Sequence, residues 1–324
     1  QSMITLSYVY LLGGALFTAV AILSGLDPSN PKRARTTAFW GLMALSLLLG
    51  DQISDFGNGL IVLAMAVIAG TGGLGKGTLT LEAETERQAF RQDRGARIGN
   101  WLLAPALIVP TAALTGTLLL KDLMIGGVHL VDPKQATLIS MAFGVLLALA
   151  IALPLIRTTP LVPLQEARRL LDTVGWSAIL PQALAALGAV FALAGVGKVI
   201  GDLTATYIPA HSPLAAVALY CCGMAGFTIL MGNAFAAFPI MTAGIGLPLV
   251  IMQFGGDPAV VCAIGMLSGF CGTLMTPMAA NFNLVPAALL ELPDRYSVIK
   301  VQAPTALILL AANIALMTLF AFKV

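Results

Sequence analysis

Thr273-Leu274-Met275-Thr276-Pro277-Met278-Ala279-Ala280-Asn281-Phe282-Asn283 sits inside a run from Gly223 to Leu290 whose single charged residue is Asp257. A second interruption, Gly232-Asn233, breaks the same apolar run earlier. In hydrocarbon an unsatisfied backbone amide costs several kcal/mol, so irregular backbone persists there only when buried in protein or lining a cavity. Gly- or Pro-interrupted apolar segments are the best pointer a single sequence gives to a transporter's binding site. The stretch predicts a polytopic all-α membrane protein with broken helices, and it reads as a transporter.

The rest of the chain agrees. Of 324 residues, 58% are hydrophobic and only 10% charged, against about 45–50% and 25% in soluble domains. The net charge of +2 implies neither a nucleic acid nor an acidic partner; the lipid bilayer is the partner that the composition demands. Cys221, Cys222, Cys262 and Cys271 all lie in apolar segments without zinc-type spacing, and read as small buried residues. No basic stretch precedes the first apolar run, so no cleaved signal peptide is expected.

A helical span needs about 20 mainly apolar residues. Such runs are Leu6–Gly25, Thr36–Gly50, Gly57–Gly72, Trp101–Leu120 and Ala136–Ile156, then Trp176–Ile200, Leu214–Met231, Ala234–Phe254, a broken segment Ala259–Leu290, and Ala303–Phe322. Basic residues orient them. Lys32, Arg33 and Arg35 follow the first run; Lys76, Arg87, Arg91, Arg94 and Arg97 lie in the loop 73–100; Arg157, Arg168 and Arg169 come before the sixth run, and Arg295 and Lys300 before the last. The alternate loops are poor in Lys and Arg. By the positive-inside rule this predicts about ten crossings with both termini outside.

Ten crossings divide into five and five, residues 1–156 and 157–324. At an offset of 175, Gly57-Asn58 maps onto Gly232-Asn233, and at 176 Pro110–Leu114 maps onto Pro286–Leu290. An odd-numbered repeat inverts its second copy, as in many secondary transporters.

The chemistry-bearing residues are few. A Gly-Asn break frees backbone carbonyls, and an Asn amide can accept from a substrate or hold a cation, so Gly232, Asn233 and Asn58 are candidates; an Asn bonded to a neighbouring helix is the plainer alternative. Pro277 removes a backbone donor and disfavours helix at Thr276, which makes Thr273, Thr276, Pro277, Asn281 and Asn283 a second cluster. Sodium suits neutral oxygens, with Asn233, Thr276 and Asn281 as its candidate ligands, and an anion suits the amides of a half-helix N-terminus. Gly195, Gly197 and Lys198 offer a loose turn beside a cation; a lysine snorkelling to the interface, or paired with Asp202, is the plain reading. Gly70–Gly77 nearly spells a phosphate loop, but Gly77 replaces the required Ser or Thr. His129 and His211 stand in predicted outer loops without partners. No nucleophile–base pair or cofactor motif is present, so no enzyme activity, resident metal or cofactor is expected.

The motif Ser268-Gly-Phe-Cys-Gly-Thr-Leu-Met-Thr-Pro-Met-Ala-Ala-Asn-Phe-Asn283 resembles a bacterial membrane family known as domain of unknown function nine-seven-nine. That family is grouped with the ion-transporter superfamily, beside gluconate, dicarboxylate and citrate permeases. Gly232-Asn233-Ala-Phe-Ala-Ala-Phe-Pro239 is similar to the broken-helix region of gluconate permeases, and the resemblance extends over the whole chain. It implies a bacterial inner-membrane carrier in which re-entrant hairpins and broken helices cup an organic anion, with Gly195–Lys198, Gly232-Asn233 and Thr273–Asn283 at the tips and breaks. Neighbouring genes in the family imply a second small membrane subunit, and 5-oxoproline or a similar small carboxylate as substrate. The chain is shorter than most of these permeases, so either the scaffold is reduced, or a partner subunit or a homodimer supplies the rest. A non-transporting subunit supporting a partner permease is the rival reading.

Overall fold

The computed structural model of the protein describes residues 2–77, 81–207 and 212–322, so His211 and the last two residues lie outside it. The chain divides into two compact units, Gln1–Asp172 and Thr173–Val324. Among the described residues, seven helical segments are long and apolar enough to cross a membrane: Leu6–Gly25, Thr85–Leu120, Ala136–Ile156, Leu161–Leu193, Pro213–Met231, Ala234–Gln253 and Ser297–Phe320. Asp55–Gly70 and Pro258–Leu274 are apolar but shorter. The protein is a helical membrane protein.

In the first unit, strand β1 (Ser2–Ile4) leads into α1 (Leu6–Gly25), which reverses into α2 (Arg33–Leu49). The two pack closely because Gly14 faces Leu48 and Gly25 faces Thr37. Asn30 stitches their connection to the loop after α3 (Asp55–Gly70), donating to Thr36 Oγ1 and to the Gly75 carbonyl at 3.3 and 3.1 Å. Polar α4 (Leu81–Ile98), the helix that the alternating charges of Glu82–Arg97 predict, runs through a 3-10 turn into α5 (Leu103–Thr115). Strands β2 (Met124–Ile125) and β3 (Val128–Val131) form a hairpin, and β1 joins β3 in parallel with Ser2 opposite His129. Next, α6 (Ala136–Ile156) packs back along α5 through Gly116 on Ser140 and Gly144 on Ala112. In α7 (Leu161–Val174), Glu166, Arg168, Arg169 and Asp172 share 14 residues, the composition of an interfacial rather than a spanning helix.

The second unit holds α8 (Leu180–Leu193), α9 (Val196–Tyr207), α10 (Pro213–Met231), α11 (Ala234–Met241) with its π-helical continuation Thr242–Gln253, α12 (Pro258–Leu274), α13 (Ala280–Leu289) and α14 (Ser297–Phe320). Gly188 abuts Ala236, Gly197 the Ile240 carbonyl, and Gly201 the Gly244 carbonyl. The contact advances in one direction along both chains, so α8 and α9 form a kinked path parallel to α11. Gly195, at φ 71°, makes the kink.

By contrast α11 doubles back along α10, since Tyr220 Oη lies 2.8 Å from Thr242 Oγ1 and Gly246 lies against the Tyr220 ring. Gly265 of α12 flanks the same ring. Bare glycines here leave room for a fully buried tyrosine at the centre of the core, with Val217, Met224, Ile245, Val261 and Met317 around it. Asp257 starts α12 by accepting from the Ala259 and Val260 amides at 2.9 and 3.2 Å, with Pro258 in the first turn. Finally α14 runs antiparallel to α12: Asp257 N–H reaches the Ala321 carbonyl at 2.7 Å, and Asn313 lies beside Cys271.

Gly195 kinks the path from α8 to α9 without reversing it, inside the single run Trp176–Ile200 read from the sequence. Gly232-Asn233 is a break that joins arms of 19 and 20 residues, each as long as a span.

Candidate functional site

Every helix leaves its first N–H groups and last carbonyls without partners inside itself. Four such ends meet in the second unit. Gly232 closes α10 in the left-handed conformation, φ 71°, and its N–H reaches the Thr228 carbonyl at 2.6 Å. A Cβ on Gly232 would stand 2.6 Å from Met278 Cβ and 2.7 Å from the Met278 carbonyl carbon. Both the φ and the space exclude a side chain there. The end of α10 and start of α11 thereby touch the turn between α12 and α13.

Polar side chains hold this crossing. Thr276 Oγ1, on a residue only 1% exposed, donates to the Ile229 carbonyl at 2.8 Å and accepts from Met278 N–H at 3.2 Å. Asn283, fully buried, donates its amide to the Thr273 and Thr276 carbonyls at 2.9 and 2.6 Å. It thus satisfies the C-terminal end of α12 from one turn inside α13. Thr273 Oγ1 bonds back to Gly269 at 3.4 Å. Thr273, Thr276 and Asn283 therefore build the break.

The rim is different. Asn233 Oδ1 caps α11 by accepting from Phe235 N–H at 2.9 Å, and Asn233 is half-buried. Asn281, in the first turn of α13, is exposed, as is Pro277. Two buried oxygens meet no hydrogen-bond donor among the described residues: Asn283 Oδ1 and Thr228 Oγ1. Thr228 escaped the sequence reading, although a polar residue one turn before a Gly-Asn break is the signal that would have found it.

The site therefore presents the N-termini of α11 and α13, two amide side chains at its edge, and orphaned neutral oxygens beneath. No charged residue lies between Pro258 and Leu290. Helix N-termini attract anions, while neutral oxygens suit a cation such as Na⁺ and offer nothing to a zinc-type metal. Among the described residues no group of three or more His, Cys, Asp or Glu can hold a metal ion.

The remaining candidates belong to other elements. Gly197 is buried against the Ile240 carbonyl, and Lys198 is exposed in the first turn of α9. Asn58 belongs to the first unit, where its amide donates to the Gly50 and Ile53 carbonyls at 2.9 and 3.3 Å. These bonds fasten the α2–α3 connection. Gly57 lies inside the first turn of α3 whereas Gly232 ends a helix, so the two Gly-Asn pairs occupy different local structures.

The profile of a family described as Protein of unknown function (DUF979) matches residues 7–322. A comparison with curated proteins finds no match. Among solved structures the chain is similar to that described as "Structure and Function of Neisseria gonorrhoeae MtrF Illuminates a Class of Antimetabolite Efflux Pumps", with 16% identity and a TM-score of 0.33 over 97% of this chain. The chain spans 62% of that protein's length.

Proposed function

The chain belongs to the DUF979 family, and we propose that it is a secondary transporter that moves a small organic carboxylate, coupled to Na⁺ or H⁺. The observation that carries this reading is the meeting of the α11 and α13 N-termini at the Gly232–Met278 contact, with Asn233 and Asn281 at its edge. Two positive helix ends favour an anion, and the uncharged lining lets the anion leave again. Asn283 Oδ1 and Thr228 Oγ1, with Asn233 and Asn281, favour Na⁺ as the coupling ion; Thr276 already uses its hydroxyl in the break.

The remaining architecture of the proposal is about ten crossings in two inverted repeats, on an ion-transporter-like scaffold in the bacterial inner membrane with both termini outside. A second small membrane subunit or a second copy of the chain completes it, and 5-oxoproline is the first substrate to try. A thermal-stability screen of the purified protein against small carboxylates, with and without Na⁺, tests the binding step. A ligand at about a hundred times its Kd adds about 2.7 kcal/mol of stability, so the true class should raise the melting temperature, and more in Na⁺. A flat response to every carboxylate, in either salt, would remove the reading.

A further inference from the structure

One buried carboxyl stands outside this site. Asp172, near the end of α7, is 7% exposed, and its Oδ1 meets no hydrogen-bond donor among the described residues. Trp40 of α2, fully buried, turns its indole Nε1 toward that carboxyl without closing a hydrogen bond to it. The cation that acts on it most strongly is Arg168, one turn earlier on α7. Its Nη1 already lies 2.9 Å from Asp27 Oδ2 and donates to the Leu23 carbonyl at 3.0 Å. The charged groups facing Asp172 are thus Arg168 on its own helix, Asp27 from the α1–α2 connection, and Lys76 from the segment after α3.

These groups divide unequally. Burial works against the charge of Asp27, but bonds from the Ser29 hydroxyl and amide and the Arg168 guanidinium outweigh it, and its carboxyl stays below the ordinary range. Asp172 has no comparable partner. Burial dominates there, only partly offset by Arg168, and pushes the carboxyl up to about 6.

We propose that Asp172 is a proton-binding site, whose ligand is a single proton taken from water, and that its occupancy controls how α7 docks on the α1–α2 hairpin. When ionised, Asp172 draws Arg168 away from Asp27. When one carboxylate oxygen gains a proton from hydronium, leaving water, Arg168 serves Asp27 alone and the neutral acid rests against Trp40. The inference rests on the first unit and is independent of the transport reading.

The sign follows from linkage. A carboxyl whose folded pKa lies above its unfolded value stabilises the fold below the unfolded pKa, and that stability is lost as pH rises through the folded pKa. Melting temperatures of the full-length protein in detergent, from about pH 4 to about pH 8, should fall through the region near 6 relative to those of Asp172→Asn. Asp27→Asn frees Arg168 for Asp172 and should move the same fall to lower pH. Parallel curves for wild type and Asp172→Asn would overturn the proposal. Should Asp172→Asn fail to fold, Asp27→Asn decides alone: a shift toward lower pH supports a proton on Asp172, and a curve coincident with wild type rejects it.

Discussion

Asn283→Ala should strip roughly 2–6 kcal/mol of stability from the second unit, the largest loss expected of any single side chain at the break. The amide donates to the Thr273 carbonyl in the last turn of α12 and to the Thr276 carbonyl in the turn that follows, at 2.9 and 2.6 Å. A buried acceptor left unsatisfied costs about 1–3 kcal/mol, and alanine would orphan two. The average for interhelical bonds in membranes, about 0.6 kcal/mol each, gives only about 1.2. The larger figure is expected because Asn283 is fully buried and α12 ends there, so its carbonyls have no helical donor to fall back on. Asn283→Asp should be worse than alanine, since an ionised carboxylate would face the same two carbonyls with no N–H to offer. Melting temperatures of both variants check the order; an alanine variant as stable as wild type would show that water or a neighbouring segment serves those carbonyls.

Asn281→Ala should act in the opposite manner, lowering carboxylate uptake about ten- to a hundredfold with a near-normal melting temperature. Losing a hydrogen bond to a charged ligand costs about 1.5–3 kcal/mol, which converts to that range. Asn281 is exposed in the first turn of α13, and exposed substitutions usually stay within about 0.5 kcal/mol of stability. Asn233 mixes both effects. Alanine there removes the α11 cap, at about 0.5–2 kcal/mol, whereas Asn233→Ser keeps a capping oxygen and removes only the amide N–H groups. Uptake and melting temperature measured on the three variants separate a ligand contact from a cap. Normal uptake in Asn281→Ala and Asn233→Ser would move the binding site elsewhere.

The contrast between Asn281 and Asn283 marks where sequence reasoning stops. Pro277 and the neighbouring Thr and Asn residues made the break legible, because a missing donor in an apolar run forces the backbone to find other partners. Which residues would be those partners depends on rotation about α13, and neighbours two positions apart point to different sides of a helix. Span limits were legible where hydropathy changes sharply, and Leu6–Gly25 and Ala136–Ile156 are helices with those bounds. Gly195 and Gly232 both occupy left-handed positions, yet one bends the path inside a single apolar run and the other reverses it between two runs. The packing of Gly197 on Ile240 and of Gly246 on Tyr220 shows the two directions. The pairing of β1 with β3 across more than a hundred residues and the meeting of Asp172 with Trp40 are likewise long-range events that no local pattern announces.

Transport itself is tested most directly by uptake of radiolabelled small carboxylates, 5-oxoproline first, into proteoliposomes under imposed Na⁺ and pH gradients, with the protein alone and with the proposed second membrane subunit. Accumulation of one carboxylate class driven by an inward cation gradient, and its loss when the gradient is collapsed, is the expected result. Failure to accumulate any organic acid under either gradient, with the partner present and the protein folded, would contradict the account.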